Sequence, residues 1–144
     1  MSDPSNTTTE AWVRLVRAHH SVSSGIESAL KKEGHPPLIW YDVLLELEKS
    51  GENGLRPYEL EQKLLLRQYG VSRLIERMAT SGHLKSETCE DDGRGRRLTI
   101  TSDGKELRRR MWSVYGPAIQ DAVGSRITSR QAKTLSGLLV RLIG

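Results

Sequence analysis

The feature that most constrains the fold is a change of hydrophobic period near Gly82. Before this glycine, apolar residues recur at steps of three and four, which is typical of helices that each bury one face. After it, apolar or small residues alternate with polar ones over 84–89 and again over 97–101, which is typical of strands. The stretch between them, 90–96, is charged and rich in turn residues. The pattern therefore predicts a mainly α-helical chain with one small β-hairpin that has a long tip.

Four helices are predicted before the hairpin. The first spans Thr7 to about Glu33, because Thr7 and Glu10 have capping-box spacing. Its apolar stripe consists of Trp12, Leu15, His19, Val22, Ile26 and Ala29. The second runs from about Leu38 to Ser50, after two prolines that interrupt the chain. Pro57 suits the first turn of a short third helix that ends near Leu64.

The fourth helix is predicted from about Gln68 to Thr80, with Gly82 as its C-terminal stop. Its apolar positions share one face: Val71, Leu74, Ile75 and Met78. Two more helices are expected after the hairpin. Thr101 caps the fifth, which Pro117 should kink, and Thr128 caps the sixth through a capping box with Gln131.

Length and composition fit one cytoplasmic domain over residues 1–144. The chain has 144 residues, within the usual range of a single domain. Its single cysteine cannot form an internal disulfide, and no run of apolar residues is long enough for a membrane span. We therefore expect a soluble protein without a membrane partner.

The charge is distributed unevenly along the chain. Residues 1–66 carry a net charge of −3, whereas residues 67–144 carry +7. Such an asymmetry is compatible with a surface that faces a polyanion such as nucleic acid. A mildly basic chain is common, however, so charge alone does not decide the function.

Two short helices followed by a β-hairpin are the parts of a winged helix-turn-helix. In that arrangement the second helix enters the major groove of duplex DNA and the hairpin reaches a neighbouring groove. Polar residues near the start of that helix can read base edges: Arg67, Gln68, Tyr69, Ser72 and Arg73. The alternative is that each of them belongs to a solvated helix face.

Specific residues in the central region resemble the MarR family of winged-helix transcriptional regulators. The similarity is carried by the run LEQKLLLRQYGVSRLIERMATSGHL at 60–84, by Asp92-Gly93-Arg94, and by the segment LTITSDG at 98–104. The resemblance implies a homodimer joined through its N- and C-terminal helices, 7–34 and 102–144. It also implies a DNA-binding lobe at about 36–101, a pseudo-palindromic operator, and release from DNA by a small molecule.

The predicted wing contains the other candidate DNA contacts. By resemblance to the family, Asp92 orients Arg94, which enters the minor groove, where the negative potential attracts arginine. Arg96 and Arg97 are expected to touch phosphate or to make no contact. Arg77 could pair with Asp92 and brace the wing, although an ordinary surface ion pair is an equal alternative.

The resemblance also suggests an effector site for an aromatic acid or a phenol. Its candidate residues lie on three predicted helices: His19, His20, Trp40, Tyr41, Arg108 and Trp112. Aromatic walls with a few cationic or imidazole groups suit such ligands. The alternative is that these residues fill core in a chain that has no phenylalanine.

The functional interpretation is a dimeric transcription regulator, a repressor that is released by an aromatic or phenolic effector. The other hypothesis is a winged-helix module that binds an acidic protein partner. No recurrent metal-binding or phosphate-loop spacing occurs, and no catalytic constellation is visible. We therefore expect no enzymatic activity, no metal and no cofactor.

Overall fold

The computed structural model describes residues 2–66, 70–88 and 95–144. Its elements, in chain order, are α1 (Asn6–Lys32), α2 (Leu38–Ser50), α3 (Pro57–Lys63), α4 (Val71–Thr80), β1 (Leu84–Thr88), β2 (Arg96–Ile100), α5 (Ser102–Ile119) and α6 (Ser129–Ile143). The two strands pair antiparallel. The mainly α-helical winged helix with a small hairpin, predicted from the change of period, is confirmed.

The start of α1 differs from the sequence prediction. Ser5, in extended conformation, is the N-cap, and its hydroxyl accepts a hydrogen bond from the Thr8 backbone N–H at 3.1 Å. Thr7 lies inside the first turn, and Glu10 pairs with Arg14 at 3.4 Å instead of closing a capping box. The predicted Thr7 cap is therefore wrong, because Ser5 offers an equivalent hydroxyl two residues earlier.

The chain forms two compact units, and the first of them comprises residues 35–113. Here α2 contacts α3 and β2, while α4 contacts β1. The core of this unit consists mainly of leucine, and its fully buried members include Leu44, Leu47, Leu60, Met78, Leu98 and Met111. This core fixes α3, α4 and the hairpin relative to one another, as a helix-turn-helix with a wing requires.

The hairpin register agrees with the predicted alternation, since Leu84 lies opposite Ile100 and Ser86 lies opposite Leu98. A further backbone pairing was not predicted. Leu55 exchanges two backbone hydrogen bonds with Leu98, at 3.0 and 2.8 Å, and so adds a one-residue bridge to the edge of β2. This bridge attaches the wing to the segment that leads into α3.

The second unit comprises residues 1–34 and 114–144. It contains α1, the end of α5, a π-helical segment (Gln120–Gly124) and α6. The capping box predicted for α6 is present, because Thr128 N donates to Gln131 Oε1 at 2.9 Å and Gln131 N donates to Thr128 Oγ1 at 3.1 Å. Many apolar side chains of α1 and α6 are exposed, among them Trp12, Val16, Leu138, Val140 and Ile143.

Candidate nucleic-acid interface

The backbone at Gly70 determines where α4 begins. Gly70 has a φ of 79° in the left-handed region, and its carbonyl accepts hydrogen bonds from the N–H groups of Arg73 and Leu74. Since non-glycine residues seldom adopt this conformation, glycine suits the position. The helix therefore begins at Val71, whereas the predicted start near Gln68 lies outside the described residues.

The two faces of α4 differ sharply in burial. Val71, Leu74, Ile75 and Met78 are buried, as the 3.6-residue period predicted. Ser72, Arg73, Glu76 and Arg77 are exposed. The apolar face anchors the helix in the unit, so its polar face is presented to solvent and is available to a partner.

The end of α4 is tightly joined to the hairpin. Gly82 adopts a φ of 84°, the Gly82 N–H donates to Ala79 O, and the His83 N–H donates to Met78 O, which together form a Schellman-type stop. The Thr101 hydroxyl donates to Gly82 O at 2.6 Å and accepts from the Gly104 N–H at 3.0 Å. One hydroxyl therefore links the end of α4 to the start of α5, which fixes the direction in which the hairpin leaves α4.

Arg96 is the first residue of β2 and is exposed. Its Nη1 donates to Ser86 Oγ at 3.2 Å, so its side chain lies along the hairpin. Arg97 lies opposite Glu87, which Lys85 also contacts at 3.2 Å. The cations on this part of the hairpin are therefore partly compensated by neighbouring polar groups.

Asp42 is a functional candidate that the sequence interpretation missed. It lies on α2 and is only 7% exposed, and its Oδ2 accepts a hydrogen bond from the Leu66 backbone N–H at 2.9 Å. Burial raises the pKa of this carboxyl above its ordinary value, whereas the backbone N–H groups of Leu66 and Leu65 lower it. The available signal was an acidic residue inside the apolar first half of this helix, between Tyr41 and Val43.

Sequence comparison identifies the region that contains this helix-turn-helix. Residues 36–95 match the model of the MarR family. Over this region the chain is similar to the MarR family. No curated protein matches the chain. The matched segment runs from the approach to α2 to the residue before β2, so it includes the Asp42 contact, α4 and β1.

Solved MarR-family structures share the fold over nearly the whole chain. A MarR family transcriptional regulator from Streptomyces coelicolor in complex with DNA has a TM-score of 0.86 at 24% identity, covering 99% of this chain and 89% of that one. A mutant MarR from E. coli in complex with operator DNA has a TM-score of 0.81 at 17% identity, covering 99% and 100%. A putative MarR-like regulator from Bacillus cereus has a TM-score of 0.83 at 18% identity, covering 96% of each chain. These likenesses show the fold.

The predicted DNA contacts of the MarR-like region are only partly described by the structure. Ser72, Arg73 and Arg77 lie on the exposed face of α4, and Arg96 begins β2 at the tip end of the paired strands. The remaining predicted residues lie outside the described residues: Arg67, Gln68, Tyr69, Asp92 and Arg94. The proposed pairing of Arg77 with Asp92 stays a prediction for the same reason.

Four predicted effector residues lie in the unit formed by 35–113. The buried Tyr41 ring stacks on the Trp112 ring, with centroids 6.1 Å apart and planes 25° apart. Arg108 Nε contacts Glu48 Oε2 and joins α5 to α2. Trp40 contacts the His83 ring edge-on at 5.8 Å. The stacked pair therefore lies between two helices that an ion pair also connects.

The other two predicted effector residues, His19 and His20, are exposed on α1. His19 lines an open groove of about 550 Å³ whose other walls include Leu15, Leu135 and Leu139. The structure therefore places His19 beside apolar side chains of α1 and α6.

Two further observations concern only the part of the chain that the structure describes. There, no three histidine, cysteine, aspartate or glutamate side chains form a group that could hold a metal ion. No helix in that part is both long and apolar enough to cross a membrane.

Proposed function

We propose that this chain is a transcription regulator that binds specific duplex DNA through the exposed face of α4. The observation that carries the proposal is the amphipathic geometry of α4, which buries four apolar residues and exposes Ser72 and Arg73. An α-helix fits the major groove, and an arginine there can bond to a guanine edge with two hydrogen bonds. Two similar folds were solved with DNA, which supports the same use here.

The wing supplies the second contact in this proposal. Arg94 enters the minor groove and is oriented by Asp92, while Arg96, next to the tip of the hairpin, touches phosphate. The fixed junction between α4 and the hairpin supports this role, because Thr101 bonds to both Gly82 and Gly104. Both contacts then reach DNA from one compact unit.

The proposed regulator is a homodimer formed through α1 and α6. Its support is the apolar groove between these helices, lined by Leu15, Val22, Leu135, Leu138 and Leu142 among others. Exposed apolar surface of this extent favours association in water. A two-fold dimer would present two copies of α4 to half-sites about one helical turn apart, roughly 34 Å.

We further propose that the regulator is a cytoplasmic repressor that an aromatic acid or a phenol releases from DNA. The stacked Tyr41 and Trp112 rings with Arg108 nearby on α5 support the chemistry of this ligand class. Trp40 completes the proposed set within this unit, while His19 and His20 on α1 stay sequence predictions. Such a ligand can release DNA only if it binds the DNA-incompetent state more tightly.

Selection from random duplex DNA tests the proposal. The purified protein should enrich one motif with two inverted half-sites, and binding to it should weaken steeply with salt, because phosphate contacts release counterions. A panel of aromatic acids should then contain one that quenches tryptophan fluorescence and also releases the selected duplex. If no motif is enriched while an acidic protein is captured, the protein-interaction hypothesis replaces this one.

A further inference from the structure

Asp42 is the one charged side chain that is buried within 2–66, 70–88 and 95–144. It lies in the middle of α2, outside the helix-turn-helix formed by α3 and α4. Its buried neighbours on the same helix are the apolar residues Leu38, Ile39, Val43 and Leu44 together with Tyr41. An ionised carboxylate in such surroundings is costly unless it is well hydrogen-bonded.

The partners of Asp42 lie in the turn between α3 and α4. Its Oδ2 accepts the Leu66 N–H at 2.9 Å, and the backbone N–H of Leu65 also interacts with the carboxylate. The Leu65 side chain is 75% exposed, so it contributes little packing that could hold the turn. The carboxylate is therefore a principal restraint on the backbone at residues 65–66.

The groups around Asp42 shift the pKa of its carboxyl in opposite directions. Burial, the largest cause, raises its pKa, and Glu46 raises it further, while the two backbone N–H groups and Lys49 lower it. The hydrogen bonds therefore do not fully offset the cost of desolvating the charge.

We propose that Asp42 is a positioning residue for DNA reading: its carboxylate holds the turn at Leu65 and Leu66 and thereby sets the placement of α4. The role rests on the proposed function, since it concerns how Ser72 and Arg73 meet base edges. Leu66 is only five residues before Val71 along the chain, so an anchored turn limits where the first turn of α4 can lie. A displacement of about 1 Å is enough to misalign polar groups that must be placed within roughly 0.5 Å.

Three variants separate positioning from stability. Asp42→Ala removes both acceptor oxygens, whereas Asp42→Asn keeps one oxygen with the same reach. Val43→Ala is the control for a general loss of stability. Val43 is fully buried on the same helix next to Asp42, but it is Asp42 whose side chain bonds to the turn. Each folded variant is assayed below its unfolding transition for amide hydrogen exchange at Leu65 and Leu66, and for its affinity for the selected duplex relative to random DNA.

We expect Asp42→Ala to speed exchange at Leu65 and Leu66 at least tenfold and to reduce discrimination between the two DNAs at least tenfold. Asp42→Asn should retain most of the wild-type protection from exchange and most of the discrimination between the two DNAs. Val43→Ala should keep wild-type discrimination although the variant is less stable. Unchanged discrimination in Asp42→Ala, or an equal loss in Val43→Ala, overturns the role of Asp42 alone. A wild-type protein that prefers no duplex overturns the proposed function itself, and this role with it.

Discussion

Leu98 exchanges both of its backbone hydrogen bonds with Leu55, at 2.8 and 3.0 Å, and so ties the wing to the segment before α3. The preceding residue, Gly54, allows this close approach. A Cβ at Gly54 would lie 2.4 Å from Leu98 O, and its φ is 66°. The wing is thus attached to its unit on two sides, at Leu55 and at the Gly82 corner.

Gly54→Ala should destabilise the protein more than Gly51→Ala. Gly54 has φ 66° and ψ −170°, and Gly51 has φ 59° and ψ −143°, a region that only glycine adopts readily, so each alanine costs about 1–3 kcal/mol in backbone strain. A Cβ meets nothing within 4 Å at Gly51, whereas at Gly54 it meets a backbone carbonyl that cannot rotate away. Urea unfolding measures the free energy of unfolding of both variants. Equal losses of unfolding free energy in the two variants would show that Leu98 O moves away from the new Cβ at no cost in stability.

Arg73→Ala should reduce discrimination between the selected duplex and random DNA by about 1–3 kcal/mol, because a base-edge contact is lost. Arg109→Ala is the control, since Arg109 is an exposed arginine of α5 that pairs with Glu106 at 3.7 Å. Fluorescence anisotropy titrations with both DNAs give the two affinities. A uniform loss on both DNAs would assign Arg73 to phosphate contact instead.

Leu139→Glu should convert the proposed dimer to monomer, because Leu139 lines the apolar groove between α1 and α6. Burying a carboxylate in an apolar interface costs several kcal/mol. Val140→Glu is the adjacent control: Val140 is 64% exposed and is not part of the groove. Analytical ultracentrifugation distinguishes the outcomes. A dimer that survives Leu139→Glu but not Val140→Glu would place the interface on another face of α6.

The stability contribution of Asp42 should fall as the pH rises. Burial raises the pKa of Asp42 in the folded state above the ordinary value of 3.8, which applies to the unfolded chain. The folded state therefore binds the proton more tightly, so this contribution is complete below 3.8 and is lost as the pH rises through the folded-state pKa.

Urea unfolding of the wild type and of Asp42→Asn, from about pH 3 to pH 7, isolates this effect because the variant does not titrate there. The wild-type free energy of unfolding minus that of the variant should decrease with rising pH and then level off. A difference that increases with pH would mean that the hydrogen bonds to Leu65 and Leu66 outweigh the burial of the charge.

Sequence periodicity predicted the elements whose burial repeats along the chain. The buried face of α4 follows from the spacing of Val71, Leu74, Ile75 and Met78, and the hairpin register follows from alternation on either side of its tip. The α6 capping box was also readable, because Thr128 is followed by Gln131 at the required distance. These features depend on residues close together in sequence.

Features that depend on single residues or on distant partners were not predictable in this way. Ser5 and Thr7 offer equivalent hydroxyl groups, so the sequence alone does not indicate which of the two residues caps α1. Leu55 forms a bridge of one residue, which leaves no period to detect. Asp42 bonds to a backbone amide 24 residues away, and no local pattern indicates which segment covers its carboxylate.

The central claim is that two copies of α4 read two half-sites on one face of duplex DNA, and its most direct test varies the half-site spacing. From the selected motif, duplexes are made in which the spacing grows in single base-pair steps over about 10 base pairs, one helical turn. The account predicts that affinity is highest at the selected spacing, falls to the random-DNA level when half a turn is added, and partly recovers after a full turn. Affinity that does not change with spacing would contradict it.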